Sequence, residues 1–155
     1  MYIDADLSFN TVATSAGVIS LTAQAETTTS ATPYDSTNVI DLTHVPRNVL
    51  SDLYLVVQCV VVPVSAGGGT LTIDLVSSAA TALTTPTILW SSGLLANATI
   101  VAWTAYSTIF AVRVHLETAL QYLGMNYTIG TADLTAGSWI AFLTPLAPYK
   151  IAATP

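Results

Sequence analysis

The chain has 155 residues, nine acidic against three basic side chains for a net charge of −6, and only 8% charged against 52% hydrophobic residues. A chain of this size forms one domain that buries roughly two-thirds of its unfolded surface. Nucleic acids and anionic membrane surfaces are recognised by clustered positive charge, so Arg47, Arg113 and Lys150 alone exclude the first partner and argue against the second.

In chain order, Met1 to Asn10 alternates Tyr2, Asp4, Asp6 and Ser8 against Ile3, Ala5, Leu7 and Phe9, the pattern of a half-buried strand or a docking arm. Its acids stand where a secretory signal would carry Lys or Arg, so no export signal is expected. Thr11 to Thr37 is rich in Thr, Ser and Ala and reads as a surface excursion with one short strand at Val18 to Leu21. Asn38 to Leu42 reads as a short strand and Thr43 to Asp52, with Pro46, as a connection.

The stretch Leu53 to Val62 organises the rest. Leu53, Leu55, Val57, Cys59 and Val61 occupy one set of alternate positions, and Tyr54, Val56, Gln58, Val60 and Val62 the other. A strand here is apolar on both faces and needs two covers. Its β-branched content and its end at Pro63 and Gly67 to Gly69 favour a strand over a buried helix. Thr70 to Val76 alternates Leu71, Ile73 and Leu75 against Thr72, Asp74 and Val76, predicting a strand with one wet face. Ser77 to Pro86 is loop or a single helical turn. Strands follow at Thr87 to Trp90, Ala98 to Thr104, Ser107 to Leu116, Gln121 to Ile129 and Ser138 to Leu143. Beyond Thr144, Pro145, Pro148 and Pro155 bar a central strand and predict an extended tail.

About eight short strands with regular turn signals and no long amphipathic helix predict an all-β fold. The expected form is a single-domain, jelly-roll-like antiparallel β-sandwich with extended N- and C-terminal segments. An immunoglobulin-like sandwich would have about seven strands and often a Cys pair. The expected division is an arm and Thr/Ser-rich excursion over 1–37, a sandwich core over 38–143 and a Pro-rich arm over 144–155. Despite a mean hydropathy of +0.64, no uninterrupted apolar run approaches the roughly 20 residues of a membrane span. Cys59 is the single cysteine and cannot form an internal disulfide.

Four segments carry a family resemblance. They are Met1 to Phe9, Ser36 to Leu42, Leu53 to Gln58, and Tyr122 to Thr128 followed by Leu134 to Gly137, with Ser91-Ser92-Gly93 in its expected place. Together they resemble the small capsid cement, or head decoration, proteins of tailed bacteriophages of the Bordetella phage type. The resemblance implies a jelly roll on the outer surface of the virion capsid that bridges neighbouring major capsid subunits. It departs from the family in a longer excursion at Thr11 to Asp35 and in the tail from Thr144. Synthesis in the reducing cytoplasm of the bacterial host suits a chain that uses no disulfide.

Site chemistry is sparse. His44 and His115, the latter near Glu117, fall short of a metal set drawn from two strands. Asp4 and Asp6 share a strand face but have no further acids nearby. No Gly-x-Ser-x-Gly elbow is present, and Gly67 to Gly69 has no Lys and no following helix. No enzyme, cofactor or metal is therefore expected.

The expected interface residues are those on the arms: Tyr2, Ile3, Asp4, Asp6, Pro145, Leu146, Pro148, Tyr149 and Ile151. Apolar side chains on an extended arm need a surface to cover. The expected partners are the major capsid protein and further copies of the chain, as a dimer or trimer. Trp103 and Trp139 read as packing residues. A carbohydrate-binding sandwich of a phage tail or fibre is the competing reading, and a cupin-like enzyme a weaker third.

Overall fold

The computed structural model describes residues 7–15, 18–29, 32–45 and 53–145. Among the described residues ten strands run in chain order: β1 (Val12–Ser15), β2 (Val18–Leu21), β3 (Tyr34–Asp35), β4 (Ile40–Asp41), β5 (Leu53–Val64), β6 (Thr70–Ser78), β7 (Thr87–Ser91), β8 (Thr108–Val114), β9 (Tyr122–Gly130) and β10 (Ala136–Thr144). Every pairing is antiparallel. One sheet runs β10-β5-β8, and the other runs β3-β9-β6-β7 with β4 also on β9. Ser8 adds an isolated bridge to Phe142 on the outer edge of β10. Between β5 and β10 the chain changes sheet at every connection except β6 to β7. With Ser8 standing for the first strand and β3/β4 for the second, this is the strand order of a jelly roll.

The β5 stretch is sandwiched as its pattern predicts. Leu53, Leu55 and Val57 point into the shared core with Leu71, Ile73, Leu75, Leu123, Met125 and Ile129 from the facing sheet. On the outer face Val56 and its cross-strand partner Phe142 are both fully buried. Two aromatic pairs sit on opposite sides of the sandwich. Tyr127 of β9 lies 5.4 Å from Trp139 of β10, and Trp90 of β7 meets Phe110 of β8 edge-on at 5.3 Å. Each such pair contributes about 0.5–1.5 kcal/mol beyond its buried area.

A polar seam closes the Tyr127 and Trp139 side. Phe9 N–H donates to Ala141 O at 3.0 Å, and Gln24 exchanges both backbone hydrogen bonds with Trp139. The Asn10 side chain replaces a missing strand. Its Oδ1 accepts from Ala141 N–H at 2.7 Å, and its Nδ2 donates to Thr22 O at 3.1 Å. Asn38 Nδ2 donates to Ser8 O at 2.7 Å, while Ser36 Oγ accepts from Met125 N–H at 3.0 Å. These side chains satisfy backbone groups of both β9 and β10 that would otherwise be buried without partners.

Four expectations are corrected. Ser8 was assigned to a wet face, yet it is fully buried with Asn10, because both serve this seam. The excursion after Thr11 holds a hairpin, β1 with β2, rather than one strand. The outer face of β6 is not wet past Thr72, since Asp74, Val76 and Ser78 are buried. The 79–86 loop folds back over that face. Ser78 Oγ accepts from Ala80 N–H and donates to Thr84 O, both at 3.1 Å, and buried Leu83 lies over Gly124 of β9, where a Cβ would collide with its Cδ1.

The fourth correction concerns Ala98 to Thr104, which is not a strand: α1 (Asn97–Ile100) and a turn occupy it. A helical turn brings Ile100 and Trp103, three residues apart, to one side against the core. That packing outweighs the β propensity of Ile100 and Val101.

Candidate interaction surface

The sandwich has two ends of different character. At one end Ser8 is the antiparallel partner of Phe142, which places Leu7 and Pro145, the first and last described residues, at the same corner. Pro145 is exposed there. The other expected interface residues, Tyr2, Ile3, Asp4, Asp6, Leu146, Pro148, Tyr149 and Ile151, lie outside the described residues. Of the arm residues, Leu7 and Phe9 are buried in the chain's own core. The same end carries ionisable groups. Arg113 at the end of β8, with His115 and Glu117 beyond it, is exposed. Asp41 Oδ1 accepts hydrogen bonds from the N–H and hydroxyl of Thr43, at 2.9 and 2.8 Å.

The opposite end is built from the 65–69, 92–107 and 131–135 connections. From Leu53 to Val112 the only Asp, Glu, Lys, Arg or His is Asp74, and that residue is buried. Of the seven exposed large apolar side chains among the described residues, six fall in this run: Val61, Val64, Ile88, Leu94, Val101 and Tyr106. Leu94 and Tyr106 are 74% and 83% exposed. Alternation does not reveal this surface, because Leu94, Val101 and Tyr106 lie on the 92–107 connection rather than in a strand. The signal that locates it is the missing charge across 53–112.

Chemically reactive groups are muted. Cys59 is fully buried, and burial pushes its thiol pKa up, away from the thiolate form that would be a nucleophile. Tyr127 is pushed far above the ordinary tyrosine range, first by burial and then by the Glu26 carboxylate. The Trp139 indole N–H offsets part of this without reaching hydrogen-bond geometry. Burial also raises the Asp35 carboxyl, whereas Asp133 is held below the usual carboxylate range by the Thr29 N–H that donates to it at 2.6 Å. Among the described residues no group of three or more His, Cys, Asp or Glu is placed to hold a metal ion. Nor is any helix among them long and apolar enough to cross a membrane.

A family model, Bbp16, matches residues 9–143, from the seam at Phe9 to Leu143 near the end of β10. The chain belongs to the Bbp16 family. The family bears a Bordetella phage protein name, in line with the phage resemblance of the sequence. The match covers both sheets of the sandwich and stops short of the arms that carry the expected interface residues. No curated protein matches the chain.

Proposed function

We propose that this Bbp16-family protein is a non-enzymatic capsid cement protein. It binds the outer surface of the phage head, bridges neighbouring major capsid subunits and acts as a homo-oligomer. The observation that carries this reading is the Ser8–Phe142 bridge, which brings the segments around Leu7 and Pro145 to one corner, with an uncharged apolar surface at the far end of the same sandwich. A staple needs two separated contact regions on one stiff body. Linking them makes the second contact intramolecular, so modest individual affinities multiply into strong resistance to separation.

Electrostatics supports the outer surface. A chain of net charge −6 is repelled by densely packed DNA inside a head. It also needs no cofactor for this role. The carbohydrate-binding reading calls for a platform of exposed aromatic rings, and among the described residues Tyr106 is the only large aromatic that is exposed.

The test is a binding assay on purified expanded heads with the full chain and a variant lacking residues 146–155. The deletion leaves β10 intact. Saturable binding of the full chain and reduced occupancy of the variant are expected, with unchanged circular dichroism. Equal occupancy of the two removes the C-terminal arm from the contact, and no binding by either rejects the cement reading.

A further inference from the structure

Asp35, Asn126 and Asp74 stand directly opposite one another across β3, β9 and β6. Residues paired in this way share a sheet face. It is the face turned away from the core, because Ile73 and Leu75 on either side of Asp74, and Met125 and Tyr127 on either side of Asn126, point inward. The row therefore sets two carboxylates on either side of one amide. Asp74 is only 9% exposed, and its buried Oδ1 has no hydrogen-bond partner among the described residues. None of β3, β9, β6 and β7 carries a Lys, Arg or His. A carboxylate taken out of water with neither donor nor counter-charge is costly, so the row calls for a positive charge that its own sheet does not supply.

We propose that this row binds a hard divalent cation, calcium in preference to magnesium, with Asp35 and Asp74 as its charged ligands and Asn126 between them. Two cross-strand steps of about 5 Å each separate the Asp35 and Asp74 Cα atoms. Two carboxylates close that gap when each bonds one ion at about 2.4 Å. Asn126 supplies the middle ligand by turning its amide. With its nitrogen toward Asp35 it donates to Asp35 Oδ1 at 3.1 Å and to Met125 O at 3.2 Å. With its oxygen there instead, three oxygens face one another at about 3 Å, the separation of adjacent ligands around calcium. Two acids fall short of a three-acid cluster, and the amide, the carbonyl and water make up the count. Donors that are all oxygen suit calcium or magnesium rather than zinc or copper, and a set spread over three strands fits the adaptable shell of calcium better than the strict octahedron of magnesium. Glu26 strengthens the local field. Gln24 Nε2 donates to Glu26 Oε1 at 2.9 Å and to Asp35 O at 2.8 Å, which holds that acid beside the row. β3 is two residues long, so an ion shared by β3, β9 and β6 fastens the Thr-rich excursion to the sheet. The site does not depend on the cement reading.

Calorimetric titration of calcium into the chelator-stripped full chain, paired with thermal unfolding in EDTA and in millimolar calcium, tests this. Asp35→Asn and Asp74→Asn are the variants, and Asp133→Asn on the 131–135 turn is the control. Asp35 is exposed and burial raises its carboxyl, so in EDTA its variant should be no less stable than the wild type, and a lost calcium response there is not a failure to fold. Expected are one calcium per chain, a Tm that rises with calcium, weaker binding of magnesium, and an affinity lowered at least about tenfold by either variant through loss of a charged ligand and unchanged in the control. No heat and no Tm shift at millimolar calcium overturn the proposal. Calcium affinity unchanged in Asp35→Asn also overturns it and marks an adventitious ion only. Magnesium bound as tightly as calcium overturns the choice of ion. If Asp74→Asn fails to fold, Asp35→Asn decides alone.

Discussion

Leu83 lies directly over Gly124, with its side chain in the space a Cβ would take. This contact holds the 79–86 loop over the outer face of β6 and β9 and accounts for a glycine in mid-strand, where it otherwise weakens a sheet. Gly124→Val is expected to lower stability by about 1–3 kcal/mol through overpacking. Leu83→Ala combined with it should cost less than the sum of the two single changes, because the smaller side chain vacates the contested space. Urea unfolding of the four species measures the coupling.

Asn10 is the second point of leverage. Replacing it with Leu leaves the buried Ala141 N–H without its acceptor, at a cost of about 1–3 kcal/mol. Hydrogen exchange at the Ala141 amide should rise in the variant well above that of its β10 neighbour Leu143. Uniform exchange along β10 would show that Asn10 does not serve as the missing strand.

Tyr127 sets an alkaline limit. Its folded pKa is raised, so its contribution to stability is complete below the unfolded value of 10 and is lost as pH rises above it. Tyr127→Phe should flatten the fall in stability above about pH 10. At neutral pH the same change should leave stability equal or raise it by up to about 2 kcal/mol, because it removes a buried hydroxyl that has no partner. Thermal unfolding at pH 7 and pH 10.5 distinguishes the two effects.

Two acids act in opposite directions at low pH. Asp35 has a raised pKa, so its ionisation opposes folding as pH rises from its ordinary 3.8 through the folded value, and Asp35→Asn should improve stability at neutral pH. Asp133 has a lowered pKa, so its contribution is present above 3.8 and is lost as pH falls through the folded value. Asp133→Asn should remove that part of the acid transition. Stability curves of both variants between pH 2 and 7 read the signs directly.

The sandwich was legible because β5, β9 and β10 announce themselves by apolar alternation and turn residues, and because no competing helical period exists. Two features defeated the pattern. Ser8 and Asn10 look solvent-facing but are buried, since a hydrogen-bonding side chain substitutes for backbone pairing there. Ala98 to Thr104 is rich in strand formers, yet tertiary packing of Ile100 and Trp103 imposed a helical turn. The uncharged surface was hidden for a different reason. It is defined by which residues are absent over 53–112, and no local period reports an absence.

The most direct measurement is cryo-electron microscopy of expanded heads incubated with the purified full chain. The account predicts added sandwich-shaped density on the outside of the shell, touching at least two neighbouring major capsid subunits, together with heads that withstand higher temperature before breaking. Bare heads at saturating protein, or density confined to a tail fibre, would contradict it.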